Sequence, residues 1–387
     1  MLRIDELIKK ISKEKIEFYK LKDLAEIGTG RSDRKDAIEG GAYPFYVRSK
    51  EILRINKYEY DETAIIIPGE GGVGDIFHYA NGKYALHQRA YRIHVTNNKL
   101  NTKYLYYYMF SKFKNFINQK AVTATVTSIR KPMIEQFEIA VPSLEVQSEI
   151  VNILDNLTLY LATLENELIL RKKQYEYYAE KIIENQKCEN YRLEQLCFFY
   201  NGDRGKNYPK VSEMVDEGIP FVNAGDVDGN VDYINCNKIT KEKYNSMNGA
   251  KLQKNDILYC LRGSTGKNGI YELDEGTIAS SLVAIRANEK VNYKYLYYLL
   301  NSSMERRQRV MLDTGAAQPN LSVQSIKKYE FPIPEIEKQI KIVEVLDRFD
   351  KLCNSLSEGL PAEIEKRQKQ YEYYRNLLLN FKEVQYE

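Results

Sequence analysis

Two identical strings decide how this chain is organised, Lys173-Gln174-Tyr175-Glu176-Tyr177-Tyr178 and Lys369-Gln370-Tyr371-Glu372-Tyr373-Tyr374. A shorter string, Lys-Tyr-Leu-Tyr-Tyr, stands upstream of each, at 103–107 and at 294–298. Self-similarity in the same order over so long a period indicates a tandem duplication. The chain of 387 residues therefore holds two copies of one module, from about 16 to 187 and from about 189 to 387.

The copies differ mainly in their early loops. The second copy carries about 20 extra residues around 206–256 and a few more near Glu358-Gly359-Leu360-Pro361. Loops vary more readily than the scaffold that holds them, and they often carry the binding function. We therefore expect the two copies to bind two different targets in a similar way.

A long helix follows each globular part. Apolar residues from Val146 to Ile182 recur at steps of three and four, which predicts one helix of about 40 residues, roughly 60 Å long at ~1.5 Å per residue. The second copy repeats the pattern from Ile336 to Leu378, with an interruption at Gly359 and Pro361 where a helix restarts. Two matching stripes most simply bury each other as a coiled coil, in a parallel or antiparallel pairing that the pattern leaves open. The alternative is that each helix packs on its own globule.

The globular parts contain short strand signals between turns. Alternating stretches at 18–24 and 191–196 open the two copies, apolar runs at 64–67 and 256–259 follow, and Tyr-rich helices are predicted at 103–118 and 293–309. We expect an α+β fold class, with two mixed, mainly β globules that also carry helices.

Composition excludes several classes of protein. The net charge of +3, from 57 basic and 54 acidic residues, is too small to indicate nucleic-acid binding by itself. No uncharged apolar run approaches the roughly 18 residues of a membrane span, so a cytoplasmic location is expected. The five cysteines form no Cys-x-x-Cys pair and the three histidines have no metal-ligand spacing. We expect no disulfide framework and no metal.

One motif is typical of a nucleotide site. The loop Gly69-Glu70-Gly71-Gly72-Val73-Gly74 satisfies G-x-G-x-x-G, but that fingerprint binds a dinucleotide only when its end opens a helix. Here residues 75–79, followed by Asn81-Gly82, are typical of a strand and a turn. The chain also lacks a nucleophile elbow, an Asn-Pro-Pro-aromatic motif and an acid–base pair shared by both copies. The sequence favours a non-enzymatic binding protein without a cofactor over an enzyme.

Three stretches carry a resemblance to a known family: Pro334–Gln339, Gly359–Glu365 leading into 369–374, and Gly315–Leu321. Over nearly its whole length the chain resembles the specificity subunit of Type I restriction-modification systems. The resemblance implies two target-recognition domains held apart by two long antiparallel coiled-coil helices with pseudo-two-fold symmetry. Each domain would read one half of a split double-stranded DNA sequence, while modification (methyltransferase) and restriction subunits would carry the catalysis. The first copy departs from the pattern because it has Thr123–Thr127 where the second has Gly-Ala-Ala-Gln-Pro.

The resemblance divides the chain into four parts. Target-recognition domains are expected at 1–142 and 188–334, with a central conserved helical region at 143–187 and a C-terminal one at 335–387. Two modification subunits would bind the coiled coil and the adjoining domain faces. A spacer of roughly 60 Å, set against a DNA turn of ~34 Å, predicts half-sites between one and two turns apart.

Candidate DNA-binding residues lie in the turn-rich loops. Forked or amide side chains suit base edges in the major groove, and lysines suit phosphates. The candidates for base reading are Arg31, Arg34, Gln88 and Arg89 in the first domain and Arg204, Arg262, Asn268 and Gln318 in the second; those for phosphate binding are Lys35, Lys206 and Lys267. For each of them a solvated surface charge is an open alternative, as is a duplicated protein-interaction scaffold without a DNA-reading role for the whole chain. Because Glu70 stands opposite Arg262 between the copies, the two half-sites are expected to differ.

Overall fold

The computed structural model describes residues 2–120, 128–312, 321–355 and 357–381. It divides into two compact units, Met1–Asn166 with Glu363–Glu387 and Glu167–Ala362. The boundary falls inside the long helix, so each unit contains one globular part and a share of the helical regions. Among the described residues, no helix combines the length and apolarity that crossing a bilayer requires.

The first unit is built on a six-stranded mixed sheet. In chain order its elements are α1 (Leu2–Ile11), β1 (Glu17–Lys20), β2 (Ala25–Thr29), β3 (Tyr43–Tyr46), β4 (Ile52–Ile55), β5 (Tyr60–Pro68), β6 (His78–Leu86), β7 (Ala90–Val95), α2 (Thr102–Lys120), α3 (Lys131–Glu135), β8 (Glu138–Val141) and the first part of α4 (Leu144–Glu184). The large sheet has the order β2-β7-β5-β6-β3-β4, and β1 pairs with β8 beside it. The central strand β5 carries the predicted apolar run Ala64–Ile67, which is fully buried. Ile65 and Ile67 pack in the core to which helix α2 contributes, and Ala64 and Ile66 pack in a second cluster that includes Tyr84.

The second unit repeats the strand pairing of the first, with one strand broken in two and with additional short strands. Its elements are β9 (Asn190–Arg192), β10 (Cys197–Asn201), β11 (Met214–Val215), β12 (Ile219–Val222), β13 (Val227–Asp228), β14 (Asn230–Val231), β15 (Asn237–Ile239), α5 (Lys241–Ser246), β16 (Ile257–Cys260), β17 (Asn268–Ile270), β18 (Thr277–Ile278), β19 (Leu282–Ala287), α6 (Tyr293–Leu300), α7 (Ser303–Leu312), α8 (Val323–Lys327), β20 (Glu330–Pro332), α9 (Ile336–Asn354) and α10 (Leu360–Leu378), the last of which lies almost wholly in the first unit. Two four-stranded sheets have the orders β10-β19-β16-β17 and β11-β15-β12-β18. Strands β17 and β18 together stand where the single strand β6 stands in the first unit, since β18 pairs in parallel with β12 as β6 does with β3. The predicted α+β fold, with two mixed and largely β globules, is confirmed.

The long helices are also confirmed. Helix α4 runs without a break for 41 residues, and the second helical region is interrupted between α9 and α10, where Gly359 and Pro361 had indicated a restart. In the first unit the guanidinium of Arg367 lies 5.3 Å from the ring centroid of Tyr160, and Tyr371 hydrogen-bonds Thr158, so α10 runs antiparallel to α4.

The second unit repeats the antiparallel helix pairing. The rings of Tyr175 and Phe349 stack at 6.2 Å. Cys353, one turn after Phe349 on α9, is close enough to Lys172, which precedes Tyr175 on α4, for the lysine charge to oppose the rise that burial causes in the pKa of the Cys353 thiol. Residue numbers therefore rise along α9 as they fall along α4, so the two helices are antiparallel.

A buried glutamine ties each globular part to its helix. Gln147, which is fully buried, accepts the Asn101 N–H (2.8 Å) and donates to the carbonyls of Lys99 (2.8 Å) and Pro142 (2.7 Å). The second copy has the same arrangement: buried Gln339 accepts the N–H of residue 292 (2.7 Å) and donates to the carbonyls of residues 290 (3.0 Å) and 334 (2.7 Å). The Pro-to-Gln motif is thus a latch that fixes where each helix begins relative to its globule.

Two local predictions were wrong. The helix predicted over 293–309 is split into α6 and α7, because Ser302 donates to the carbonyl of Leu299 (2.6 Å) and its hydroxyl also accepts the N–H of Glu305 (3.4 Å), which starts a new helix. Asn81-Gly82 is not a turn but part of β6, paired with Thr63 and Glu62 of β5. The strand ladder overrides the local turn preference there.

Candidate nucleic-acid interface

Three loops of the first unit meet at one end of its large sheet. Gly30 lies so close to β6 that a Cβ on it would be 1.7 Å from the carbonyl oxygen of Leu86, so only glycine fits there. The N–H of Gln88 donates to the carbonyl of Ser32 (3.0 Å), and the N–H of Gly69 donates to that of Arg89 (2.9 Å). The loops at 30–35, 69–74 and 87–89 are therefore held together by their own backbone.

The second unit holds its equivalent loops with the same bonds. A Cβ on Gly202 would lie 2.3 Å from the carbonyl oxygen of Ile278, as Gly30 approaches Leu86. The N–H of Leu261 donates to Ser281 (2.8 Å) as Gly69 does to Arg89, and the N–H of Leu321 donates to Leu261 (3.0 Å) as Ile129 does to Gly69 (2.8 Å). One backbone frame thus carries two different sets of exposed side chains.

The predicted residues of the first domain come together on this frame. Arg31, Arg34, Lys35, Gln88 and Arg89 are all exposed. The Gln88 amide donates to Asp33 (3.0 Å), and the backbone N–H of Arg31 donates to Glu59 (2.8 Å). Residues more than fifty positions apart in the sequence therefore lie on one polar surface that carries both basic and acidic side chains.

An acidic residue, Glu70, lies between two arginines. Glu70 Oε1 accepts hydrogen bonds from Nη1 of Arg89 (2.8 Å) and from Nη1 of Arg48. The Arg89 hydrogen bond holds the pKa of the Glu70 carboxyl below its usual range, and Glu70 in turn raises the pKa of Arg89. Both shifts favour the charged forms of Glu70 and Arg89.

A buried histidine accepts a hydrogen bond from the backbone of Arg89. The His87 side chain is 4% exposed, and its Nδ1 accepts the backbone N–H of Arg89 (2.9 Å), which requires the neutral ring. Burial and the positive charge of Arg48 lower the pKa of His87. His87 thus helps to position the backbone of Arg89.

In the second domain, Arg204 and Arg262 line one cleft of about 740 Å³. Asn201, Asp203 and Asn248 line it too, and Asp203 accepts the backbone N–H of Asn248 (2.8 Å). Both arginines are exposed. The structure thus brings together two candidates that lie 58 positions apart in the sequence.

The remaining candidates of the second domain are placed differently. Lys267 is exposed and pairs with Asp228 (2.8 Å). Asn268 is only 1% exposed, and its amide exchanges hydrogen bonds with the Asn301 side chain (2.9 and 3.2 Å), so the expectation that it lies on a reading surface is wrong. Buried amides need such partners, and this pair fixes β17 against the end of α6. Gln318, the compared strings at 123–127 and 315–319, and the side chain of Lys206 lie outside the described part of the chain.

Sequence reasoning missed the roles of Arg48 and Glu70. Arg48 follows β3, and it lies 22 positions from Glu70 and 41 from Arg89, so no local pattern connects the three. The contrast between Glu70 and Arg262 was visible in the repeat, but the ion pairs arise only when β3, β5 and β6 form one sheet.

Other chemistries find little support in the geometry. Among the described residues, the glycine loop 69–74 leads not into a helix but, after 75–77, into strand β6, which begins at His78 rather than at residue 75 as predicted. Within the described ranges, no cluster of three or more His, Cys, Asp or Glu side chains has metal-binding geometry.

The chain matches a sequence family described as the Type I restriction modification DNA specificity domain. The match covers residues 13–171 and again 185–366, one domain for each copy of the repeat. Together the two matches span most of the chain.

Relatives and solved structures agree with that match. The Type I restriction enzyme EcoR124I/EcoR124II specificity subunit of Escherichia coli is 32% identical over 74% of this chain and 72% of its own length. A putative Type I specificity subunit of Haemophilus influenzae is 31% identical over 97% of this chain and 98% of its own. The fold is similar to that of the S subunit of a Type I restriction-modification system from M. genitalium, with a TM-score of 0.59 at 17% identity over 96% of this chain and 98% of that one.

Proposed function

Because this chain belongs to the family of Type I restriction-modification DNA specificity subunits, we propose that its two domains read the two halves of one split DNA sequence. A specificity subunit of this family has two target-recognition domains and is not itself catalytic. We assign these domains to 1–142 and 188–334, with the helical regions 143–187 and 335–387 between and after them. Their partners would be double-stranded DNA, two modification subunits and, in the full complex, restriction subunits.

One observation supports this proposal above all others. The same backbone hydrogen bonds hold the exposed loops in both units, while the side chains on those loops differ. A shared frame positions each domain on the DNA backbone in the same way, and different side chains read different bases. A scaffold that binds one kind of protein twice has no need for such divergence.

The reading residues are proposed from their exposure and grouping. In the first domain they are Arg31, Arg34, Gln88 and Arg89, with Lys35 on phosphates, and in the second they are Arg204 and Arg262, with Lys267 on phosphates. Arginine guanidinium groups suit the O6 and N7 acceptors of guanine in the major groove. Lys267 lies at the other end of the turn that begins at Arg262. We therefore assign it to a phosphate next to the base that Arg262 reads.

Mapping of methylated bases in the host genome tests the proposal. Deleting the gene should abolish one split motif, and the Arg262→Ala variant should relax or abolish one half of that motif while the other half is retained. A contiguous palindrome, or a methylation pattern that the deletion leaves intact, would refute DNA reading and favour an interaction scaffold. Equal weakening towards all DNA would make Arg262 a phosphate contact.

A further inference from the structure

Glu70 and Arg262 occupy the same place in the two frames. Each directly follows a residue whose N–H donates to the equivalent carbonyl, Gly69 to Arg89 and Leu261 to Ser281. The polypeptide therefore presents an acidic side chain in the first domain where it presents a basic one in the second.

The residues next to this position also differ between the two domains. Tyr46 accepts the N–H of His87 (2.9 Å) in the first domain, and Val222 accepts that of Ala279 (2.9 Å) in the second. Arg48, two residues beyond Tyr46, therefore corresponds to Ala224.

The summed charge of the three corresponding positions is the same in both domains. Arg48, Arg89 and Glu70 carry a net charge of +1, and Arg262 with Ala224 and Ser281 also carries +1. At these three positions the summed charge is thus the same in both domains, whereas the pattern of hydrogen-bond donors and acceptors is not. Donor and acceptor patterns are what distinguish one base pair from another.

We propose that Glu70 is a positioning residue that sets the base preference of the first half-site by holding the guanidinium groups of Arg48 and Arg89 as one fixed pair. This inference rests on the proposed function. It adds that Arg48 is a reading residue and that the pair recognises guanine edges.

The contacts favour positioning over direct reading by Glu70. Its Oε1 accepts from both guanidinium groups, which orients the carboxylate towards the two arginines. The Glu70 side chain is 34% exposed, less than Arg48 at 42% and Arg89 at 62%. The arginines are therefore the more accessible groups, and each has N–H donors besides Nη1.

Arg89 is fixed at both ends. Its backbone N–H donates to His87, its carbonyl accepts from Gly69, and its guanidinium is held by Glu70. A long side chain fixed in this way loses little further freedom when it binds, which improves discrimination. Without Glu70, the two arginines would repel each other and sample several rotamers.

The experiment compares Glu70→Gln with the matched control Asp75→Asn. Asp75 lies in the same connection between β5 and β6 and is paired with Lys114 (2.7 Å), so each substitution removes one negative charge, with two ion pairs lost at Glu70 and one at Asp75. Complexes with the modification subunits are tested for binding to DNA libraries in which either half of the mapped motif is randomised. Binding to the second half-site by the same complexes shows whether each variant is correctly folded.

Glu70→Gln should lower the preference for the natural base in the first half-site about fivefold or more, at one or two guanine positions, since a good arginine–guanine contact discriminates by about 5- to 150-fold. Asp75→Asn should leave the preference unchanged, and in an Arg48→Ala/Arg89→Ala background Glu70→Gln should have no further effect. If Glu70→Gln behaves like Asp75→Asn, the inference is refuted while split-site reading stands. A change to a new preferred base, or an additive effect in the double-arginine background, would instead make Glu70 a direct reader. If the unmodified complex shows no split-site preference, the proposed function itself fails.

Discussion

Replacing Gln147 by leucine should destabilise the first unit strongly. The leucine fills most of the same buried space but leaves the Asn101 N–H and the carbonyls of Lys99 and Pro142 without their side-chain partner. A buried polar group left unpaired costs about 1–3 kcal/mol. Because these loops lie partly at the surface, water can replace some of the bonds, so we expect a total loss of about 3–6 kcal/mol.

That loss is large against the stability of a single domain, which is about 5–15 kcal/mol. The matched change Gln339→Leu breaks the same three bonds in the second unit and should cost a similar amount there. Gln174→Leu is the control, since the half-buried Gln174 accepts a hydrogen bond from Arg171 (3.0 Å) on its own helix, and the substitution should cost less than about 1 kcal/mol.

Urea denaturation followed by circular dichroism gives the free energy of unfolding, and hydrogen exchange read by mass spectrometry assigns it to a unit. Gln147→Leu should accelerate exchange mainly in strands β1 to β8, and Gln339→Leu mainly in β9 to β20. The latch would be refuted by a loss below about 1 kcal/mol for Gln147→Leu, or by equal losses for Gln147→Leu and Gln174→Leu.

Two further outcomes follow from the loop frame. Gly30→Ala should cost about 2–3 kcal/mol of unfolding free energy and weaken DNA binding, because the new Cβ meets the Leu86 carbonyl. The control is Gly225→Ala, whose new Cβ meets no atom within 4 Å. Equal urea midpoints for the two variants would contradict the reasoning. Because the folded pKa of His87 is lowered, its contribution to stability is present above its unfolded pKa of about 6.5 and is lost as the pH falls below that value towards the folded pKa. Urea midpoints between pH 8 and pH 5 should therefore drop less for His87→Gln than for the natural protein, and parallel curves would show that His87 does not contribute.

Much of the scaffold was predictable because its signals are local and repeated. The three-and-four spacing from Val146 predicted the 41-residue helix α4, and Gly359 with Pro361 predicted the interruption between α9 and α10. Helix periodicity and proline chemistry act over a few residues, so a linear pattern contains them. The wrong predictions, the turn at Asn81 and the unbroken helix over 293–309, arose where a distant strand or a single capping serine decided the outcome.

The candidate interface divides in the same way. By itself, the sequence determined the duplication, the family and the polar loops that include Arg31, Gln88 and Arg262, since exposed loop residues are marked by composition and by divergence between the copies. Only the tertiary structure decided that Asn268 is buried and that Arg48 joins Arg89 around Glu70. Those facts depend on which strands become neighbours in a sheet. Sheet pairing brings together residues that are far apart in the chain, and no local spacing encodes it.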